Sequence, residues 1–348
     1  MNGRLKLRRG IVVAEGPLTV EVDGERRAAW ADTALLGEMR EGDEVVVNTA
    51  ALDLGLSSGG FDVVHVNLTR GLEGGGGADE HVMKLNYTSL QHPIDPVEPP
   101  LFPSSIYGSK GTAKRVEAAI PVLVLPLHGH LAPAAWAAAQ RAPDLKVGYV
   151  QTGGGALPGS LSRDVQELKK RELLCGHITA APAYGGEHEA LSVTGALDAA
   201  AHGLGWDAVI AGPGPGIIGS ETRLGHGGMA ALDTAHASLA LGLPTLISPR
   251  LSAADPRERH RGVSHHTLTV LDFLLASVEV AVPEGEEEIA ASLELAAAGK
   301  HRLQVGAVEL DTYAATGLPS QTMGRSIEED PLFFAAALVA GAALRRKG

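Results

Sequence analysis

The chain has 348 residues, and at roughly 150 residues per domain this length indicates two domains. It contains 29 Lys and Arg against 41 Asp and Glu, so the formal net charge is −12 at pH 7. An acidic chain with 4% aromatic residues lacks the basic stripes and stacking platforms of nucleic-acid-binding proteins, and a hydrophobic fraction of 45% excludes general disorder. We therefore expect a globular protein without a nucleic-acid partner.

The sequence contains one cysteine, Cys175, which excludes a disulfide framework. Its apolar neighbours Leu173 and Leu174 favour a buried, unreactive thiol. No signal-peptide pattern is evident at the N-terminus, and no apolar run reaches the ~18–20 residues of a membrane span. These features predict a cytoplasmic protein with no membrane partner.

The first ninety residues have the pattern of a β domain. Short β-branched runs recur between turn signals, and Asp23-Gly24 is a favoured hairpin turn. The predicted strands are residues 10–13, 18–22, 44–47 and 61–66, with a last strand within 81–90. We expect residues 1–92 to form a small all-β barrel or sandwich, which we interpret as a structural or substrate-covering module.

Five prolines between positions 93 and 103 predict an extended linker over residues 93–103. From 104 to 348 an apolar strand, a Gly-rich loop and an Ala-rich helix recur. The expected strands are residues 121–127, 146–150, 177–180, 207–211, 244–248 and 278–282, with a further one within 302–310. This alternation predicts an α/β fold: a doubly wound, Rossmann-like parallel sheet covered on both faces.

In such a sheet the strand-to-helix loops meet at the carboxyl edge, where ligands bind. The loop over residues 212–219 contains G-x-G-x-x-G spacing, but two prolines and its place after the fourth strand argue against a dinucleotide fingerprint. Glycine-rich loops let backbone N–H groups approach an anion. The candidate ligand-binding glycines are Gly153, Gly154, Gly212, Gly214, Gly216 and Gly219.

Seven of the 14 histidines lie in or just beyond these loops. Imidazole titrates near neutrality, so these residues are candidates for acid–base catalysis. The catalytic candidates are His128, His130, His226, His265 and His266. A second interpretation is a divalent metal held by His128, His130, His188 and Glu187, although no dedicated metal signature is present.

Arginines are concentrated in the loop over residues 249–264, against the acidic average of the chain. This local excess favours an anionic ligand held by guanidinium groups, while a solvated, salt-bridged loop is the alternative. The candidate ligand-binding arginines are Arg223, Arg250, Arg259 and Arg325. Ser264 or Thr267 beside a histidine leaves a hydrolase nucleophile as a minor option.

Several long motifs occur together in order. They are His81-Val82-Met83-Lys84, His128-Gly129-His130, Tyr184-Gly185-Gly186-Glu187-His188-Glu189, Gly225-His226-Gly227-Gly228-Met229, Arg259-His260-Arg261-Gly262-Val263-Ser264-His265-His266-Thr267 and Thr322-Met323-Gly324-Arg325. With these motifs the chain resembles the bacterial domain-of-unknown-function family numbered 3866 over nearly its whole length. The resemblance implies a self-contained unit and transfers no residue roles.

Three functions are consistent with these patterns. The leading hypothesis is an enzyme that binds a small anionic, phosphate- or nucleotide-like molecule at the carboxyl edge of the sheet. The alternatives are a metal-dependent hydrolase using a His/Glu cluster and a non-catalytic small-molecule sensor or binding protein. The apolar run over residues 333–344 indicates a core or interface helix and leaves a homodimer open.

Overall fold

The N-terminal and C-terminal parts of the chain form separate units, Met1–His81 and Val82–Gly348. The computed structural model describes residues 4–56, 59–72, 74, 80–98 and 120–345. The linker predicted over 93–103 begins inside the second unit, where residues 92–94 form a strand. Residues 99–103 of that linker lie outside the described residues.

The first unit contains a closed five-stranded barrel in the order β1-β2-β3-β5-β4. Its strands are β1 (Leu7–Glu15), β2 (Leu18–Val22), β3 (Glu25–Trp30), β4 (Glu44–Asn48) and β5 (Asp62–Asn67), with short helices α1 (Thr33–Leu36) and α2 (Ala50–Asp53) between them. Alternate valines fill the interior, including Val12, Val20, Val45, Val47 and Val64. The expected small β-barrel is therefore confirmed.

The barrel contains one strand that the sequence pattern did not predict, β3. It follows the predicted turn at Asp23 and Gly24, both of which have positive φ. Arg27 on this strand reaches across to Asp62, with Nε 2.5 Å from Oδ2. Strand β3 pairs with β2 and β5, and the ion pair adds a side-chain contact between β3 and β5.

Residues 81–90 are not the last barrel strand, so that prediction is wrong. Strand β6 (Val82–Lys84) pairs with β7 (His92–Ile94) in a separate two-stranded sheet of the second unit. Its Lys84 is buried, forms an ion pair with Glu189 and donates to the Thr179 carbonyl at 2.8 Å. These contacts hold β6 within the second unit.

The second unit is built on an eight-stranded sheet in which every pairing is parallel. Its strands are β8 (Val122–Val124), β9 (Val147–Thr152), β10 (Gly176–Ala180), β11 (His188–Ala190), β12 (Ala208–Pro213), β13 (Thr245–Ile247), β16 (Glu279–Pro283) and β17 (Arg302–Gly306). Their order is β11-β10-β9-β12-β8-β13-β16-β17. Two small antiparallel pairs lie outside it, β14 (Leu251–Ser252) with β15 (Gly262–Val263) and β18 (Gln321–Thr322) with β19 (Arg325–Ser326).

Helices cover both faces of this sheet, which confirms the Rossmann-like prediction. They are α3 (Leu131–Arg141), α4 (Arg163–Lys170), α5 (Val193–His202), α6 (Ala230–Ala240), α7 (His265–Phe273), α8 (Glu287–Ala297), α9 (Leu310–Ala314) and α10 (Pro331–Ala342). Side chains of α3, α4 and α10 pack in one core cluster with Leu123, while those of α5, α6, α7 and α8 pack in the other with Val122 and Val124. Successive residues of β8 thus face opposite layers.

Helix α10 is a core helix, because ten of its twelve residues, from Leu332 to Gly341, are buried inside the chain. The apolar run that allowed a homodimer interface as one interpretation therefore packs in the core of the chain itself. Across the described part of the chain, the structure contains no helix with the length and apolar character needed to cross a membrane.

We predict that Gly341→Ala destabilises the protein although alanine is the better helix former by about 1 kcal/mol. A Cβ at this position would overlap the backbone carbonyl of Ala134 on α3, so the two helices would have to separate. Overpacking of this kind costs about 1–3 kcal/mol, measurable by urea denaturation. Gly195→Ala on α5 is the control, since its methyl group would meet the side chain of Glu98 rather than the backbone of another helix; an equal or larger loss there would contradict the explanation.

Candidate functional site

The strand order predicts a crevice at the carboxyl edge of the sheet around β8, β12 and β13. Strand β8 lies between the other two, and the loop after β8 leads to α3 on one face while the loop after β12 leads to α6 on the other. Loops that diverge to opposite faces open a crevice between strand ends, which is the usual ligand position in open α/β sheets. The loops after β12 and β13 bring most of the predicted histidines and arginines to this edge.

Three histidines converge here, which we call the histidine cluster: His226, His265 and His266. His226 ends the Gly-rich loop after β12, and the other two begin α7, whose N-terminus is capped by Ser264. One ring nitrogen of each lies within 4.8 Å of the others. The rings of His226 and His266 are stacked, with centroids 3.7 Å apart. All three belong to the predicted catalytic set.

A fourth histidine, His260, extends this group and was not chosen from the sequence. Its ring centroid is 5.0 Å from that of His265 and 4.9 Å from that of His266. The residue is buried, and its Nδ1 is hydrogen-bonded to Ser264 Oγ at 2.7 Å. Its place one turn before α7 is the signal that could have identified it.

All four imidazoles are neutral at neutral pH. Burial, together with the positive charge of Arg250 and neighbouring histidines, lowers the pKa of His266 to about 2 and that of His260 to about 3. Desolvation also lowers the pKa of His226 and His265. A neutral imidazole keeps one unprotonated nitrogen, so each ring can accept a hydrogen bond or bind a metal ion.

Beside the histidine cluster lies the arginine group, defined as Arg250, Arg257 and Arg325. All three surround Asp255, which is fully buried. Arg257 donates to its carboxylate through Nε and Nη2, both at 2.9 Å. Burial alone would raise the pKa of Asp255, but the hydrogen bonds and charge of Arg257 outweigh it and hold the pKa well below the usual range.

Arg250 joins the two groups. Its Nη1 donates to His266 Nδ1 at 3.3 Å, and its Nη2 donates to Asp255 at 3.2 Å. The side chain is 3% exposed, and burial lowers its pKa to about 10, so it stays charged at neutral pH. Its buried Nε has no hydrogen-bond partner among the residues that the structure describes.

The four predicted ligand-binding arginines all have acidic partners within the chain. Arg250 pairs with Asp255, and Arg325 with Asp330 at 3.0 Å. The exposed residues Arg223 and Arg259 pair with Asp272 and Glu221, respectively. Exposed pairs contribute about 0–1 kcal/mol and exchange partners readily, whereas the buried pairs fix the site. Neither Asp330 nor Asp255 was predicted from the sequence as an arginine partner.

The predicted glycines mainly permit close packing of loops. A Cβ on Gly154 would overlap the carbonyl of Gly227, one on Gly214 the carbonyl of Ala156, and one on Gly212 would lie 2.8 Å from Leu125 Cβ. A Cβ on Gly153 would lie 3.2 Å from Pro182 Cδ. Gly216 and Gly219 are exposed, and Gly219 forms a bridge with His226. Their anion-binding role stays a prediction.

The four predicted metal ligands do not come together. His128 is buried with both ring nitrogens engaged: Nδ1 donates to the Pro213 carbonyl at 3.2 Å, and Nε2 accepts from Ser162 at 2.7 Å. Glu187 forms an ion pair with Lys169 on the surface, and Glu189 forms one with Lys84. Over residues 4–98 and 120–345, apart from the short undescribed gaps, only the histidine cluster forms a potential metal-binding triad.

His130 is more deeply buried than is expected of a catalytic base that contacts substrate. It is fully buried, its Nδ1 is hydrogen-bonded to Ser248 Oγ at 2.9 Å, and its ring packs edge-on against Phe333. His188 is half-buried on β11. Neither touches the histidine cluster through any contact that the structure gives.

The hydroxyl and thiol candidates have different settings. Ser264 is buried and caps α7, and its Oγ is hydrogen-bonded to His260 Nδ1 at 2.7 Å, so its role as a nucleophile stays a prediction. Ser162 caps α4 in the same way and is hydrogen-bonded to His128. Cys175 is exposed, so the expectation of a buried thiol is wrong; it follows the last turn before β10 rather than entering the core. Local desolvation raises the pKa of its thiol to about 11, which keeps it protonated and unreactive.

A separate surface groove lies between α4 and residues 317–319. Its charged lining residues are of both signs, namely Arg163, Asp164, Glu167 and Lys170. Such a lining has no preference for an anion. The convergence of reactive side chains therefore makes the crevice at the carboxyl edge the candidate site.

Comparison with protein families agrees with the motifs in these loops. The sequence profile of a family described as a protein of unknown function, DUF3866, matches residues 28–341. The chain belongs to the DUF3866 family. No curated protein and no solved structure matches the sequence. The residue roles in this DUF3866 protein therefore rest on the geometry above.

We predict a pH dependence of stability that arises from buried neutral histidines. Burial lowers the pKa of His130 from 6.5 to about 3. As pH falls below about 6.5 the unfolded chain binds a proton that the folded chain excludes, so the free energy of unfolding falls by about 1.4 kcal/mol per pH unit until pH ~3. His130→Asn should reduce this slope by that amount between pH 6.5 and 4.5, as measured by urea denaturation.

Ser248→Ala is the matched control for this measurement. It removes the hydroxyl partner of His130 but leaves the imidazole buried. We expect a loss of about 1 kcal/mol at every pH with the slope unchanged. An unchanged slope in His130→Asn would show that this histidine is not the source of the pH dependence.

Proposed function

We propose that this DUF3866 protein is an enzyme that binds a small anionic molecule at the carboxyl edge of its parallel sheet. The ligand is phosphate-like, or a nucleotide-like molecule bound through its phosphate. The arginine group holds the anion, and the neutral imidazoles beside it are the reactive groups. The observation that carries the proposal is the buried, charged Arg250, whose Nε has no hydrogen-bond partner within the described chain.

The charge balance of the arginine group supports an anion. Three guanidinium groups face two carboxylates, Asp255 and Asp330, which leaves one excess positive charge. The Arg257 side chain is 43% exposed, so this charge is accessible to an anion from solvent. Planar guanidinium groups match phosphate oxygens well.

A thioether occupies the place where an anion would bind. Met323 Sδ is 3.6 Å from Arg250 Nη2 and 3.7 Å from Arg257 Nη2. Sulfur of this kind is a weak acceptor, far poorer than a phosphate oxygen. Met323 is 49% exposed and lies in the short β18–β19 turn, so an incoming anion can displace it without disturbing the core.

The position of the histidine cluster favours an enzyme over a sensor. An anion between the guanidinium groups would lie next to neutral imidazoles, which supply unprotonated nitrogens at neutral pH. A protein that only senses an anion needs the arginines and not four neighbouring imidazoles. Turnover of a bound phosphate ester distinguishes the two functions, because a sensor leaves the ligand unchanged.

We predict that the protein binds inorganic phosphate or pyrophosphate and that Arg257→Gln and Arg325→Gln each weaken binding about 10–100-fold. This range corresponds to a loss of about 1.5–3 kcal/mol for one charged hydrogen bond. Isothermal titration calorimetry measures the dissociation constant, and ligand-dependent thermal stabilisation measures it independently.

Arg302→Gln is the matched control for this titration. Arg302 is an exposed arginine paired with Glu279 at the amino ends of β17 and β16, on the opposite edge of the sheet. Its loss should leave the dissociation constant unchanged. Equal weakening by all three variants, or no binding of either anion by the wild-type protein, would refute the proposed anion site.

A further inference from the structure

The ring of His226 is held in a single tautomer. Its Nε2–H donates to the backbone carbonyl of Arg223 at 3.0 Å, so the lone pair of the neutral ring is on Nδ1. That Nδ1 is buried and has no hydrogen-bond partner in the described parts of the chain. Metal-binding histidines have this arrangement, in which one ring nitrogen donates to a backbone carbonyl and the other is left for the ion.

A glycine keeps the space beside these nitrogens open. A Cβ on Gly228 would lie 2.9 Å from His226 Nδ1 and 3.1 Å from His266 Nδ1. Any side chain here would fill the volume that the two ring nitrogens face. Gly228 itself is buried and is the middle residue of the short turn Gly227–Met229 before α6.

We infer that His226, His265 and His266 bind a divalent first-row transition metal ion, with Zn²⁺ the expected occupant. The donor set decides the class, because imidazole nitrogens suit Zn²⁺, Co²⁺, Ni²⁺ and Cu²⁺, whereas Mg²⁺ and Ca²⁺ require oxygen ligands. Three protein ligands leave a fourth position open, as in catalytic zinc sites. A catalytic role for the ion rests on the proposed function, whereas binding of the ion to the three histidines does not.

The arginine group is next to this ion site. Arg250 Nη1 contacts His266 Nδ1 at 3.3 Å, a long hydrogen bond, and the His226 and His266 rings are stacked. Ligation by His266 therefore requires its ring to turn and give up the Arg250 contact. This movement releases one guanidinium donor toward an anion, so the bound metal ion and the anion favour each other. Bound metal would supply a Lewis acid for that anion or for water.

Titration of the full-length, chelator-treated protein with Co²⁺ tests the inference. We expect one Co²⁺ per chain, with visible d–d absorption of a low-coordinate ion bound to nitrogen, and competition by Zn²⁺. His265→Ala should weaken Co²⁺ binding at least about 10-fold, since even outer-shell losses have effects of that size. His265 is half-buried, so this variant is more tolerable to the fold than a change at His226 or His266.

His202→Ala is the control for adventitious binding to surface histidines. His202 lies at the end of α5 and pairs with Asp198, remote in sequence from the cluster. We expect its binding curve to match that of the wild-type protein. If wild-type protein binds no Co²⁺, or if His265→Ala binds it as tightly as wild type, the inference is overturned. Circular dichroism and urea denaturation of His265→Ala show whether the variant is folded, and an unfolded variant is replaced by His265→Gln.

The phosphate titration in metal-free protein separates this inference from the proposed function. Phosphate binding without Co²⁺ binding would overturn the metal site and leave the anion site standing. Co²⁺ binding without phosphate binding would overturn the anion site and leave the metal site standing. Tighter phosphate binding in Zn²⁺-loaded protein is the result expected if both are correct, and equal affinity would contradict the release of Arg250.

Discussion

The buried ion pair between Arg250 and Asp255 is the interaction on which the site depends. Both side chains are almost completely buried, and an unpaired charge at either position would cost several kcal/mol. Asp255 also receives Arg257 and lies 3.6 Å from Arg325, while Asp330 joins Arg325 to Ser252. The loop after β13, the β18–β19 turn and the start of α10 are thus held by one network of charges.

This network also determines the electrostatics of the histidine cluster. Burial is the main reason that the imidazoles are neutral, and the positive charge of Arg250 adds to it for His226, His260 and His266. The same arginine therefore holds the proposed anion and keeps the neighbouring ring nitrogens unprotonated. Charged donors and neutral acceptors coexist within a few ångströms because Asp255 keeps Arg250 charged and the charge of Arg250 disfavours protonation of the imidazoles.

Much of the architecture could be predicted from the sequence, because continuous apolar strands alternating with Ala-rich helices are compatible with few other folds. Strand β3 was missed because Glu25, Arg26 and Arg27 hide its pattern, and the Arg27–Asp62 pair that fixes it joins residues distant in sequence. Convergence of loops at one edge predicted a set of five histidines, of which His226, His265 and His266 meet. Which histidines meet, and which arginines are paired, depends on side-chain packing that spacing does not encode.

The contact between Gly154 and Gly227 has a mechanical consequence. Each glycine presses its backbone against the carbonyl of the other, so the loop after β9 and the loop after β12 leave no room to slide past each other. His226 directly precedes Gly227, and its position is therefore fixed by the loops after two neighbouring strands, β9 and β12. The imidazole is therefore held by two loops that pack against each other. A lengthening of either loop would shift the ring away from α7 even if every residue around it were kept.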